Sequence, residues 1–397
     1  MATTEPEAPF SYDVDFFTGQ PYPVWAEARQ RCPVIASDGS VMGVDRPTFS
    51  VTRWSDVETV LRDGETFSSS INAEHIGRFM GDLMLAMDGQ EHRAYRHLVA
   101  HAFRVSQLER WDGALVRPTI ERLLDAIAPL GRADLVAAVT SRYPVQVICG
   151  IVGVPLEDSE QFQRWAEEIN TGPLNPEVGM AASRAMRAYL EPIVEARRVD
   201  PTGDLISDLV HAEIEGERLT DEKIYGFLRL LLPAGAETTF RVMGNALVAL
   251  LTVPGLMARV VADRTLLAAV IEETLRWETS VTQVSRVATA DTEIGGCPVP
   301  AGAAVSVVVG SANHDDARYP DAETFDVDRP LQNHMTFGTG QHQCLGMHLA
   351  RLELRVGLDT ILDRLPGLRL DPDAPPPIIQ GFAFRGPDAL NVVFDAS

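Results

Sequence analysis

Near its C-terminus this 397-residue chain carries Phe337-Gly338-Thr339-Gly340-Gln341-His342-Gln343-Cys344-Leu345-Gly346, and no other stretch restricts its fold as much. A glycine-rich run delivers one cysteine to the start of an amphipathic segment, in which Leu345, Leu349, Leu352 and Val356 recur at helical spacing. A thiol there faces the positive end of a helix dipole and free backbone N–H groups, and both favour thiolate. Gly338, Gly340 and Gly346 let the backbone come close to something flat and bulky. The other cysteines, Cys32, Cys149 and Cys297, lie far off in sequence and form no CxxC pair, so neither a zinc-finger spacing nor a disulfide framework is present. A lone thiolate fits haem iron, where the macrocycle supplies the remaining nitrogens. The plainer alternative is a buried structural cysteine beside a glycine loop.

Apolar residues recur at three-to-four spacing over residues 55–63, 91–103, 107–128, 135–150, 157–170, 179–197, 203–213, 220–252, 255–262, 264–278 and 345–363, which predicts helices there. Alternation predicts strands at Thr48–Thr52, around Val284–Ala288, at Ala303–Val308 and at Leu390–Phe394. No linker or repeat divides the chain. One domain over residues 1–397 is expected, with residues 1–10 as a flexible tail. The longest apolar runs, such as Ala246–Leu251 and Ala303–Val309, fall short of the roughly 20 residues that span a bilayer. No cationic, apolar leader opens the sequence either, so a soluble cytoplasmic protein without a membrane anchor is expected. A formal net charge of −22 argues against nonspecific binding to nucleic acid or to an anionic membrane surface.

Three further groupings stand out by residue type and spacing. Thr220 is placed to cap a long helix that contains Leu232-Pro233-Ala234-Gly235-Ala236-Glu237-Thr238-Thr239. Proline and glycine there should kink or open the hydrogen-bond ladder. A carboxylate and a hydroxyl at such an opening, Glu237 and Thr238, can hold water and pass protons; a packing kink with a solvated Glu237 is the bland reading. Glu273 and Arg276 share a helix face and can pair, as an ordinary surface ion pair if nothing more. His92 and Arg96, four apart, also share a face.

Together these segments resemble the cytochrome P-450 family. Phe337–Gly346 is similar to its haem-binding loop, FxxGxxxCxG, in the bacterial form FGxGxHxCLG. Ala234–Thr238 resembles the AGxDT or AGxET motif, with glutamate where many bacterial members have aspartate. Glu273–Arg276 looks like ExxR, and Arg329 is the arginine expected to join that pair. Val51–Trp54, Ala312–Asp315 and Gly381–Gly386 are similar to the family's early strand, its ANRDP segment and a late β-hairpin. Ser280 stands where many relatives have proline.

The resemblance implies a mainly α fold with small β-sheets, a triangular prism that holds haem b between a long distal helix and the proximal cysteine loop. It implies Cys344 as the iron ligand, with Ala234, Phe337, Gly338 and Gly346 against the haem, and His92, Arg96, Arg286 and His342 on the propionates. Glu237 and Thr238 become the catalytic acid–alcohol pair, and Glu273, Arg276 and Arg329 a structural triad. The substrate pocket is expected to include Leu83, Met87, Val281 and Phe382. The implied reaction is insertion of one atom of O2 into a mostly apolar small organic molecule. Electrons would come from an external ferredoxin with a separate reductase, because no flavin or iron–sulfur motif is found in the sequence. Residues 92–108 hold Arg93, Arg96 and Arg104 with no acid, so Arg93 and Arg104 are candidate docking cations on a protein expected to be a monomer. A peroxide-driven peroxygenase and a non-catalytic haem carrier or gas sensor are the alternatives.

Overall fold

Thr220 caps the longest helix: its Oγ1 accepts the N–H of Lys223 at 3.4 Å, and Asp221 and Glu222 follow in the first turn. The helix then runs from Asp221 to Thr252, unbroken at Pro233. It is apolar on every side rather than along one stripe, which marks a helix surrounded by protein. Ile224, Leu228, Met243, Leu247 and Ala249 are among the side chains that it buries completely. The helices Tyr143–Val152, Ser159–Asn170, Pro176–Val199, Leu267–Trp277 and Met347–Arg364 pack around it. The computed structural model describes residues 18–37, 46–100, 103, 105–214 and 216–396. The tail expected at residues 1–10 lies outside them, as does Arg104.

The strands gather to one side. Val34–Ser37, Thr48–Val51, Ala304–Val307, Val284–Ala288 and Phe67–Ser68 form a five-stranded sheet in that order. All neighbours are antiparallel except Thr48–Val51 with Ala304–Val307. This sheet has its own core of Val51, Val57, Val60, Val305 and Val307. The register that pairs Arg286 with Val305 fixes where the Arg286 side chain leaves the strand. Leu390–Phe394, expected as a strand, contributes Asn391–Val393 to a small three-stranded sheet.

Sequence periodicity placed the long helices well and the interruptions poorly. The stretch expected as one helix over 107–128 is Val105–Trp111, a wide turn Asp112–Val116, and Arg117–Ile127. Residues 135–150 likewise break at Ser141–Arg142 before Tyr143–Val152. Helical pieces that periodicity did not show include Tyr22–Arg31, Ala73–Met80 and the short turns Met84–Ala86 and Val309–Ala312. The first buries only Trp25, Ala28 and the polar Arg29, too thin a stripe to register as a period. Among the described residues no single helix is long and apolar enough to cross a membrane; the one pair that passes together, Asp221–Thr252 with Leu256–Ala262, is bent by 100°.

One buried ion pair ties the late hairpin to the core. Arg385, only 1% exposed, gives Nε and Nη2 to the two Glu278 oxygens at 2.9 and 3.1 Å. The Tyr22 hydroxyl donates to the same carboxylate at 3.0 Å, and the guanidinium lies over the Tyr22 ring. Asn245, from the long helix, donates to the Glu278 carbonyl at 2.9 Å. Removing one partner strands a charge out of water, so Arg385→Ala should lower stability by about 3–5 kcal/mol in urea unfolding. A loss below about 1 kcal/mol would mean that water enters and solvates Glu278.

Candidate functional site

A cavity of about 280 Å³ separates the long helix from the cysteine loop. Ala234, Gly235, Thr238 and Thr239 form one wall. Phe337, His342, Cys344 and Gly346 form the opposite one, and His92 and Arg96 close a side. Met84, Leu85, Phe227, Leu230, Leu231 and Val242 make the remainder largely apolar, with Ser280 as a polar point.

The loop is held by its own backbone. The N–H of Cys344 donates to the Phe337 carbonyl at 2.8 Å, and that of Gly338 to the Met335 carbonyl at 2.8 Å. Gly338 has φ +64°, and a Cβ there would meet nothing within 4 Å. Gly340 works differently from expectation: at φ +74° a Cβ would come within 2.4 Å of the Leu61 carbonyl. That glycine lets the loop pack on the helix Trp54–Arg62 rather than on a ligand. The helix after the cysteine begins at Met347, two residues later than a helix-terminal thiol requires. The Cys344 side chain is exposed to the cavity, and desolvation by the protein around that cavity pushes the thiol up. The N–H of Gly346 and the Arg96 and Arg351 guanidiniums oppose that shift without overcoming it. The low-pKa thiolate expected from the helix dipole is therefore not made by the protein alone; a coordinating metal deprotonates a thiol outright.

His92 and His342 face one another with ring centroids 4.0 Å apart. Both nitrogens of His92 and Nε2 of His342 are buried without a hydrogen-bond partner among the described residues. Burial, followed by nearby cations, pushes both imidazoles down, so they are neutral at pH 7. Arg286 is 4% exposed, and burial lowers it to about 10. Its Nη1 donates to the neighbouring Ser285 carbonyl at 2.7 Å, while Arg96 donates to the Gln343 carbonyl at 2.6 Å. Among the described residues neither arginine has a carboxylate within salt-bridge distance. Buried donors without acceptors are costly. This set fits a guest that brings two carboxylates, and the thiol on the cavity wall fits its metal. The residues present therefore suit haem.

On the long helix, Thr238 Oγ1 donates to the Ala234 carbonyl at 2.9 Å and lines the cavity. Glu237 does not line it. Its Oε1 accepts both Nε and Nη2 of Arg241 at 2.8 and 2.6 Å, one turn along the same helix. The structure thus brings the alcohol to the cavity and holds the acid aside in an ion pair. The i+4 spacing of Glu237 and Arg241 in the sequence is the signal for this pairing.

Glu273, Arg276 and Arg329 meet as expected. Arg276 is bidentate on Glu273 at 2.7 and 2.8 Å, and Arg329 Nε reaches the same carboxylate at 3.1 Å. The four expected pocket side chains are off the cavity wall. Leu83 is buried in the main core, where it packs near Gly77, and Met87 packs at the edge of that core. Phe382 turns towards Trp25, with ring centroids 6.0 Å apart, and Val281 bridges to Phe384. Met84 and Leu85 take the positions expected of Leu83 and Met87, because the short turn Met84–Ala86 rotates them inward.

A long central helix, a cysteine loop facing it and four anion-seeking side chains at one edge define a haem-thiolate protein. The comparisons make the assignment specific. The sequence profile described as cytochrome P-450 matches residues 40–387. The mycinamicin IV hydroxylase/epoxidase of Micromonospora griseorubida is 35% identical over 353 residues, covering 87% of this chain and 89% of that protein. The steroid C26-monooxygenase of Mycolicibacterium smegmatis is 34% identical, covering 88% of each. The solved structure of the cytochrome P-450 PksS of the bacillaene polyketide synthase of Bacillus subtilis 168 superposes with a TM-score of 0.86 at 31% identity, over 94% of this chain and 96% of that one. The chain belongs to the cytochrome P-450 family and is a monooxygenase of that family.

One buried acid on the cavity wall was not anticipated. Glu353 is 1% exposed, its Oε1 has no partner among the described residues, and burial raises it well above its ordinary 4.5. The folded carboxyl is neutral where the unfolded one ionises, so its favourable contribution is complete below pH 4.5 and is lost as pH rises towards the folded pKa. Glu353→Gln should therefore gain on the wild type by about 1.4 kcal/mol per pH unit above that point, until the folded group ionises. Urea unfolding at pH 5 and pH 8 measures it; parallel profiles for the two proteins would show that Glu353 is solvated.

Proposed function

We propose that the chain oxidises a mostly apolar small organic molecule at the cavity between Thr238 and Cys344, as a single-domain monomer in the cytoplasm. Electrons come from a separate ferredoxin and its reductase. The observation that supports this most is the pairing across one cavity of a lone cysteine with a helix-borne hydroxyl, beside two histidines with unpartnered ring nitrogens and two arginines that meet only carbonyls among the described residues. When bound, haem supplies activation of O2 and transfer of one oxygen atom to the substrate, the other leaving as water.

The chain's own residues hold, shield and deliver. Cys344 Sγ is the iron ligand, and His92, Arg96, Arg286 and His342 bind the propionates by charge-assisted hydrogen bonds. Ala234, Phe337, Gly338 and Gly346 provide the surfaces against which the macrocycle rests. Thr238 Oγ1 gives up its bond to the Ala234 carbonyl to orient a water molecule in the cavity. Glu237, once it leaves Arg241, takes up a proton from solvent and relays it to the water held by Thr238, which makes that ion pair a gate on delivery. The apolar wall of Met84, Leu85, Phe227, Leu230 and Leu231 excludes water and grips an apolar skeleton, with Thr239 and Ser280 left for few polar groups. Relatives named for mycinamicin IV and for a steroid support a bulky substrate of that kind.

Reduced protein with carbon monoxide should show the red-shifted Soret band of a thiolate haem, and Cys344→Ser should lose it. An unshifted band in the wild type would overturn the reading. Thr238→Ala should bind substrate normally while product per electron pair falls roughly tenfold or more and peroxide rises. Unchanged coupling would remove Thr238 from proton delivery. Arg93 is exposed on the helix Gly89–Ala100 and is proposed, with Arg104, to meet the acidic ferredoxin. Arg93→Glu should lower ferredoxin-supported turnover and flatten its salt dependence, leaving dithionite reduction unchanged.

A further inference from the structure

Around Phe337, the first residue of the cysteine loop, three side chains meet that no step above uses. Arg351, on the helix that follows the loop, donates Nε and Nη2 to the two oxygens of Glu272 at 2.6 and 2.9 Å. His334 Nε2 lies 3.2 Å from the same carboxylate. The Arg351 guanidinium sits over the Phe337 ring, 4.6 Å from its centroid, and the His334 ring lies 5.7 Å from it. The carbonyl of Phe337 in turn accepts the N–H of Cys344 at 2.8 Å.

The energetics favour a geometric role over a charge effect. Arg351 and Glu272 are 33% and 28% exposed, so their attraction alone contributes little. Two parallel N–H donors from a planar fork nevertheless fix the guanidinium plane, and only a planar cation can lie flat on an aromatic ring. Burial works against the Glu272 carboxylate, yet Arg351 and His334 bring it down to about 2, so the pair persists at any working pH. Glu272 adjoins Glu273 on one helix. The neighbouring carboxylates serve different targets: Glu273 reaches Arg276 and Arg329, and Glu272 reaches the helix and loop on either side of the cysteine.

We propose that Arg351, held by Glu272 and His334, is a positioning residue for Cys344: it clamps the Phe337 ring and, through the Phe337 carbonyl, sets the direction of the Cys344 sulfur. The inference rests on the haem-thiolate reading, and its test needs no redox partner and no substrate. Wild type, Arg351→Leu, Arg351→Lys and Glu272→Gln are reduced chemically and exposed to carbon monoxide, and haem transfer to an acceptor apoprotein is timed. Arg351→Leu should convert a large fraction of the thiolate band to the unshifted one and release haem roughly 10-fold faster. Arg351→Lys should behave like the leucine variant, because an ammonium has neither the fork nor the flat face. Glu272→Gln should shift both readings in the same direction by less. Hydrogen exchange at the Cys344 amide should quicken in all three variants, a reading that applies even to a variant that holds haem poorly. Bands, release rates and exchange within twofold of wild type, or full restoration by lysine, would overturn the proposal. A wild type without the thiolate band would instead overturn the haem-thiolate reading itself.

Discussion

The ion pair of Glu273 with Arg276 lies almost out of reach of water, where an unsupported charge is very costly. Its charges are tolerated because every direction around them is filled. Arg276 Nη1 donates to the Asn313 and Ala322 carbonyls at 3.0 and 2.8 Å, and Nη2 to the Thr324 carbonyl at 3.1 Å. Glu273 takes the Asp326 N–H at 3.0 Å as well as Arg329. A meander from Asn313 to Arg329, with almost no regular structure, is thereby wrapped around one charge pair. Asn313 passes the order onward: its Oδ1 accepts the Met335 N–H at 2.7 Å, two residues before the cysteine loop starts. A flexible stretch of chain so arrives at Phe337 in one conformation.

That arrangement explains how a rigid site can be made mostly of loop. The distal wall is a helix and needs no support beyond its packing. The proximal wall has few helical bonds, and its order comes from carboxylates on the helix Leu267–Trp277. Sheet register adds the remaining fixed point, since Arg286 can face His342 only while Val284–Ala288 stays in phase with Ala304–Val307. A slip by one residue would turn that guanidinium to the other face.

What could be read from the sequence divides along the same line. Cys344, the Glu273–Arg276 pair and the helix around Thr238 were legible because each chemistry needs particular residue types at fixed local spacing. Arg329 joined them only through the family resemblance, being 53 residues beyond Arg276. The wall positions were not legible. Whether Leu83 or Met84 meets the cavity depends on the turn at Met84–Ala86, and both residues are equally apolar. Gly340 was visible as a glycine, but its contact with Leu61 joins segments far apart in sequence. Glu353 looked like one more polar position on an amphipathic helix, and only the packing shows that its face is the inner one.

The acidity of the chain takes on a different meaning at the site. Across the protein 56 acids outnumber 34 Lys and Arg, yet among the described residues Arg96 and Arg286 have no carboxylate within salt-bridge distance. Asp88, the acid nearest this group, is engaged by Ser68 Oγ and the Ser69 N–H, and lies 3.7 Å from His342 Nε2. Asp88 offsets only part of the positive charge of this cradle, so the two carboxylates of a guest relieve repulsion as well as form bonds. Whatever binds there binds the folded chain alone, because the four side chains come from a helix, a strand and the cysteine loop. Haem affinity and fold stability are then two readings of one free energy. The Glu273 pair, which orders the meander leading into the loop, contributes to both.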